Sequence, residues 1–282
     1  MRIMVKKFIL GLSIVGLVAC GSDSKDDTLV MPPVQENLEK DKIVKIEEYF
    51  ENQLERVIEL AYDTNKRLNK VTENRPQKNQ KIETEIAYPQ NKVLITYKEN
   101  QVVTNLAKPT LFEVDLDTQQ RVVQLKKTRS FKNSTRDEVT TETGFVYDAT
   151  SRQIKSKTSF FPEVLTSWNG NTLVKIESKN SKGETEVTQT YDYMDTKNTV
   201  YPDLNFFLTR FTSDTEIKFL FTKSLGLRSE HYLQKYTYMR GTSKSERNIS
   251  YEFDQKLRPT SVTVDIQEDV PSKYTYKIFY AE

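Results

Sequence analysis

The chain has 282 residues, with 42 Lys+Arg against 40 Asp+Glu, one His, one Cys and one Trp. One cysteine excludes a disulfide framework and a cysteine-based zinc or redox site, and one histidine excludes a two-histidine metal clamp. Eight glycines leave little for a phosphate-cradling loop, so no cofactor or metal is expected.

The first element is an address. Arg2, Lys6 and Lys7 precede an apolar run from Phe8 to Val18. The run is too short to cross a bilayer as a helix and predicts a secretion signal over residues 1–19. It ends in Leu17-Val18-Ala19-Cys20-Gly21, which resembles a bacterial lipobox, with cleavage before Cys20 and a lipid on its thiol. Loss of 1–19 removes three basic residues and no acidic one, leaving 39 against 40, a net of −1. No basic-patch argument for nucleic acid survives that step. Residues 20–41 then read as a tether, through Ser22-Asp23-Ser24-Lys25-Asp26-Asp27 and Pro32-Pro33. About 20 flexible residues reach roughly 25 Å. The acidic run resembles the stretch that sends lipoproteins of some Gram-negative gut anaerobes to the cell surface.

From residue 42 onward Thr, Tyr, Val, Ile and Phe interleave with Lys, Glu and Arg. The alternation in Val139-Thr140-Thr141-Glu142 and Ser261-Val262-Thr263-Val264-Asp265-Ile266 predicts strands with one wetter face. Over 43–71 the apolar spacing also fits a helix. The unit described next decides for strands, with Glu51-Asn52-Gln53 as a turn.

That unit is an apolar or aromatic residue, Asp, three polar-leaning residues, then Arg. It occurs at Asp63 and Arg67, Asp117 and Arg121, Asp148 and Arg152, and Asp254 and Arg258. The Asp ends a strand and bonds turn amides, three residues make the loop, and the Arg opens the return strand facing the Asp. Asn65 or Ser151 is expected to supply a left-handed turn residue. Repetition argues against acid–base machinery, because a catalytic pair is needed once and a turn device in every hairpin. Ser167–Asn171 and Asn180–Gly183 read as further turns.

Residues 194–227 break the pattern. Leu204, Phe207, Leu208 and Phe211 share one helical face, Ser213 with Glu216 makes a capping-box signature, and Gly226 suits a helix stop. One or two short helices are expected around 203–226, crossing over and covering part of the sheet. Hairpins resume at His231, and the last strand is expected from Tyr274 to Tyr280.

Three stretches carry a family resemblance: Tyr147-Asp148-Ala149-Thr150-Ser151-Arg152, Tyr251-Glu252-Phe253-Asp254 with Arg258-Pro259, and Tyr274-Thr275-Tyr276 with Tyr280. With lipobox and tether, the chain resembles surface lipoproteins of Gram-negative gut anaerobes whose domain, of unknown function, has a porin-like fold. The hairpin units are also similar to the tyrosine-aspartate repeats of large shell-forming β proteins. Those repeats usually carry Gly just before the Arg, where this chain has Lys66, Gln120, Ser151 and Leu257. The resemblance implies a curved antiparallel sheet with a helical insert and no catalytic residues.

The fold class expected is therefore mainly β. Residues 42–282 form one domain, a single large curved antiparallel sheet of consecutive hairpins, porin-like but not membrane-spanning. Charge recurs within nearly every strand, whereas a spanning strand needs one face free of it. A hydrophobic share of 36% and a mean hydropathy of −0.66 favour a thin single layer over a deep core.

His231 stands alone, outside any catalytic motif, and reads as a strand-edge residue. Carboxylates are abundant, but no spacing singles out two for a glycosidase pair. The aromatic residues are the better lead. Tyr236 and Tyr238, Tyr251 and Phe253, and Tyr274 and Tyr276 each lie two apart and share a face. Cross-strand packing explains them, and so does a platform for sugar rings or peptide groups. Trp168 is the remaining ligand candidate, in an expected turn. The expectation is a non-catalytic, lipid-anchored binding module for a glycan or other extracellular ligand, facing the cell exterior. The alternative is an interaction or assembly component of an outer-membrane complex. The membrane is met only through the lipid on Cys20, and no nucleic-acid partner is expected.

Overall fold

The computed structural model describes residues 41–99, 109–130, 139–158, 161–209, 229–268 and 270–281. The expected signal, lipobox and tether up to residue 40 lie outside them, as do Phe211, Ser213, Glu216 and Gly226.

The described residues form seventeen strands: β1 (Asp41–Phe50), β2 (Gln53–Tyr62), β3 (Leu68–Arg75), β4 (Gln80–Ala87), β5 (Lys92–Glu99), β6 (Thr110–Leu116), β7 (Val122–Arg129), β8 (Val139–Tyr147), β9 (Gln153–Lys157), β10 (Glu163–Asn169), β11 (Thr172–Lys179), β12 (Thr185–Lys197), β13 (Val200–Tyr201), β14 (His231–Arg240), β15 (Ser243–Phe253), β16 (Pro259–Gln267) and β17 (Ser272–Tyr280). One helical turn, α1 (Leu204–Leu208), follows β13. Each strand pairs antiparallel with the next, β14 takes the place after β12, and β17 returns to β1 with Phe50 opposite Tyr274 and Ile46 opposite Ile278. All strands except β13 thus close a 16-stranded antiparallel barrel.

Closure goes beyond the expected curved, single-layer sheet, which meets itself as a ring. Period-two patterning encodes which face of a strand is wet. It is silent on whether the first strand meets the last, a contact made across almost the whole chain. The helix expectation is met by one short turn, and residues 210–228 lie outside the described residues. Among the described residues only the five of α1 are α-helical, and β12 runs through 194–197. The 43–71 stretch is β1, β2 and the start of β3, with the turn at Glu51-Asn52 and Gln53 already in β2.

Alternation now has a geometric meaning. In β4, Ile82, Thr84 and Ile86 are buried inside while Lys81, Glu83 and Glu85 face out. In β16, Val262, Val264 and Ile266 face in. The outer wall carries cross-strand ion pairs: Lys70 with Glu83, Lys98 with Glu85, Lys126 with Glu113, and Lys155 and Lys179 with Glu163, and Lys81 joins Glu83 along β4. A lysine at the middle of a lipid-facing strand costs about 2–4 kcal/mol; between these pairs Leu94, Leu111, Val123, Val146 and Ile154 are exposed on β5 to β9.

The barrel has two unlike ends. The chain comes in at Asp41 at the floor, and the turns after β2, β6, β8 and β15 are also at the floor. All four Asp–Arg units therefore sit on one rim. Each Asp amide bonds the Arg carbonyl at 2.8–3.0 Å, and each carboxylate takes both the Arg amide and its guanidinium. The left-handed residue is the one before the Arg: Lys66, Gln120, Ser151 and Leu257, with φ of 62°, 61°, 63° and 59°. Ser151 fits the expectation and Asn65 does not. That conformation costs an L-residue energy, and none of the four is a glycine.

A second device stitches the floor ends of neighbouring strands. Arg67 lies 4.3 Å from the Tyr88 ring centre, and the Tyr88 hydroxyl donates to the carbonyl of Leu68, the next residue. The same arrangement joins Arg121 to Tyr147 and Val122, and Arg258 to Tyr280 and Pro259. Arg152 stacks on Trp168, whose indole N–H donates to the Gln153 carbonyl. Lys42 with Tyr62 and Ile43 repeats the theme, and Tyr232 packs on Tyr251, whose hydroxyl donates to the Leu233 carbonyl. A ring held by a cation or a second ring, with its polar tip bonded to a backbone carbonyl, thus recurs along the floor.

The floor is also plugged. β13 pairs in parallel with Asp41 and Lys42 of β1, and Leu204, Phe207 and Leu208 of α1 join the apolar core. Asp203 caps the turn by accepting from the Asn205 amide. The Asn205 side chain ties it to β14 through the His231 carbonyl and the Leu233 amide.

Candidate functional site

Toward the mouth the inner wall changes character. Glu48, Arg56 and Glu73 occupy inward positions of β1, β2 and β3. The Arg56 guanidinium bonds Glu48 at 2.6 Å and Glu73 at 3.2 Å. Glu73 also takes Arg75, Arg75 reaches Gln80, and Gln80 bonds Glu99. One charged chain thus runs across five strands. Burial works against the Arg56 charge, but the two carboxylates outweigh it and hold its pKa above the ordinary value. Farther round the ring, Lys127 and Arg247 are also inward and buried.

An aromatic column stands beside this chain. Phe50 at the mouth lies 5.0 Å from Tyr274, Tyr274 stacks on Tyr276 at 6.4 Å, and Tyr276 meets Phe207 of the plug edge-on at 5.2 Å. Arg56 lies over Phe207. Burial pushes the Tyr276 hydroxyl well above its ordinary pKa. The upper end of the column is wetter, with Phe50 38% exposed. The hairpin turn beyond Phe50 is fixed by bonds between Glu51 and Lys273.

The structure distributes the aromatic candidates unevenly. Tyr236 is 1% exposed, packs on Tyr191, and shares the Gln189 side-chain oxygen with it. Tyr251 is half-buried near the floor with its hydroxyl committed to the Leu233 carbonyl. Trp168 lies on β10 and its N–H is taken by Gln153. Tyr274 and Tyr238 are half-buried inward residues of the mouth half. The set is therefore not one exposed platform. Of these candidates, Tyr274 and Tyr276 join with Phe50 in a continuous path to the mouth. His231 opens β14 and offers its backbone carbonyl to Asn205.

Phe50, Glu48, Arg56 and Glu73 were missed by sequence reasoning. Their signal was parity. Arg56 shares its face with Ile58 and Leu60, and Glu48 with Ile46, so each is a charge on the apolar side of its strand. No group of three or more metal-ligating side chains occurs among the described residues.

The outer wall holds a further concavity. A depression of about 290 Å³ is lined by Asp192, Gln234, Lys235, Asn248, Ile249, Ser250 and Asp265.

Comparison places the fold among solved structures. A porin-like protein from Bacteroides vulgatus matches with a TM-score of 0.55 at 13% identity, over 86% of this chain and 99% of that one. A porin-like protein from Bacteroides uniformis matches with a TM-score of 0.50 at 13% identity, over 85% and 98%. No family model and no curated protein matches the chain. At this identity the likeness supports a porin-like fold.

Proposed function

We propose that the protein is a lipid-anchored, non-catalytic binding module held at the outer membrane by Cys20 and facing the cell exterior. The resemblance to gut-anaerobe surface lipoproteins, the lipobox and the acidic tether support that address. One observation carries the binding role: the interior is apolar and plugged at the floor, where the tether joins, and aromatic and charged toward the mouth. Ligand would meet Phe50 and Tyr274 first, with Tyr276 beneath them and the Glu48–Arg56–Glu73 chain alongside. Stacking on ring faces beside fixed polar groups suits a glycan. The assembly alternative draws less support, because a closed ring has no free strand edge to pair with a partner.

The test is a thermal-shift screen of the full chain in detergent against polysaccharides, oligosaccharides and mucin fragments. A ligand of the folded state raises the melting temperature in saturable fashion. The reading expects such a shift, and its loss in Tyr274→Ala. No shift with any member of the panel contradicts it.

A further inference from the structure

The outer-wall depression is made by one cross-strand row. Asp192 of β12 faces Lys235 of β14, Lys235 faces Asn248 of β15, and Asn248 faces Asp265 of β16. Beside the row lie Ser250 and Gln234. The ladder is irregular here, since β12 shifts register between Asp192 and Tyr193 and again before Lys197. Such shifts bend a wall locally and leave room beside it.

The chemistry of this row differs from the rest of the outer wall. Glu83, Glu163 and Glu246 are each taken by two lysines. Among the described residues, Asp192, Gln234, Asn248, Ser250 and Asp265 make no side-chain hydrogen bond or ion pair. Apart from the charge attraction between Asp192 and Lys235, their donors and acceptors are available without breaking an internal contact. The two carboxylates stand three strand spacings apart, about 14 Å, too far to share a metal ion. The lining carries a single ammonium, and Glu246 holds it at 2.7 Å, so phosphate has no cationic cradle. The lining offers no apolar side-chain floor for an acyl chain, since Ile249 points inward. What matches two carboxylates, two amides and a hydroxyl is a ligand whose groups both donate and accept.

We propose that this depression binds a short oligosaccharide laid across β12, β14, β15 and β16. Asp192 and Asp265 accept hydroxyls at its two ends, and Asn248 donates and accepts between them. The site is separate from the mouth and does not depend on binding there.

Saturation-transfer NMR on the full chain in detergent micelles tests this, with laminaritriose, mannotriose and chitotriose as probes. The proposal expects saturable transfer to at least one probe. Asp265→Ala and Asn248→Ala should each weaken it about five-fold or more, with unchanged circular dichroism, while Tyr274→Ala leaves it intact. Both outer-wall residues are surface positions, so the fold does not hang on them. No transfer to any probe overturns the proposal. So does transfer that survives both outer-wall variants, and its loss in Tyr274→Ala alone would assign the sugar to the mouth instead.

Discussion

The floor and the mouth of this barrel are built from the same hairpins and solve different problems. At the floor, side chains are committed to one another: Asp to Arg, Arg to an aromatic ring, the ring's hydroxyl to the next carbonyl, and a helical turn to the core. At the mouth, inward carboxylates and guanidiniums alternate in a chain, and an aromatic column ends at a partly exposed Phe50. The contrast teaches that a strand can specify stability at one end and chemistry at the other without changing its period.

The sharpest way to break the contrast is to remove the cation at its centre. Arg56→Ala leaves Glu48 and Glu73 facing each other in an enclosed site. It should cost about 3–5 kcal/mol in denaturant unfolding, as for a buried pair with one partner deleted. Phe207→Ala empties the plug and should cost about 3–4 kcal/mol. Phe50→Ala, at the mouth, should cost far less, because the ring is already partly in water. Equal losses for the two phenylalanines would erase the distinction between the ends.

Acid should act on the floor. The carboxyls of Asp63, Asp117, Asp148 and Asp254 are all held below their ordinary value of 3.8. For Asp148, burial alone would raise it, but the Arg152 amide, the Thr150 hydroxyl and the Arg152 guanidinium outweigh burial and pull it down to about 2. Depressed folded-state values mean stabilisation that is fully present above the unfolded pKa and lost as pH falls through the folded one. Melting temperature should therefore fall between about pH 4 and about pH 2. Asp148→Asn should flatten part of that fall.

Smaller effects test the single stitches. Tyr147→Phe and Tyr280→Phe keep the ring and remove the hydroxyl bond, and each should cost about 1 kcal/mol. Leu257→Gly should stabilise by about 0.5–1 kcal/mol, because Leu257 holds a left-handed conformation at an exposed position. A loss of stability there would mean that its side chain contributes more than its backbone costs.

The turns were legible because Asp and Arg fall at a fixed local spacing, and the bonds between the two lie within five residues. The stitches were half legible. Tyr62 and Tyr147 stand directly before an Asp, but the partners of Tyr88, Trp168 and Tyr280 lie on other strands and need the register. Closure was invisible, since nothing in β1 or β17 names the other strand. The helical insert was legible at its start, because Leu204, Phe207 and Leu208 share an apolar helical face that α1 turns into the core, while the rest of that expectation lies outside the described residues. The mouth was legible only by parity. Tyr274 and Tyr276 declared a shared face, and Arg56 broke the apolar face of β2 in plain view, but its carboxylate partners sit on neighbouring strands. The outer-wall row could not be found from sequence, for Asp192, Asn248 and Asp265 become neighbours only through pairing.

We propose a barrel that stands in water and meets the membrane only through a lipid on Cys20. Its most direct test is a chain begun at residue 21, without leader or Cys20, made in the absence of detergent. The account predicts a soluble, monodisperse protein with β circular dichroism and a cooperative melt. A chain that folds only when detergent or lipid is supplied would contradict it.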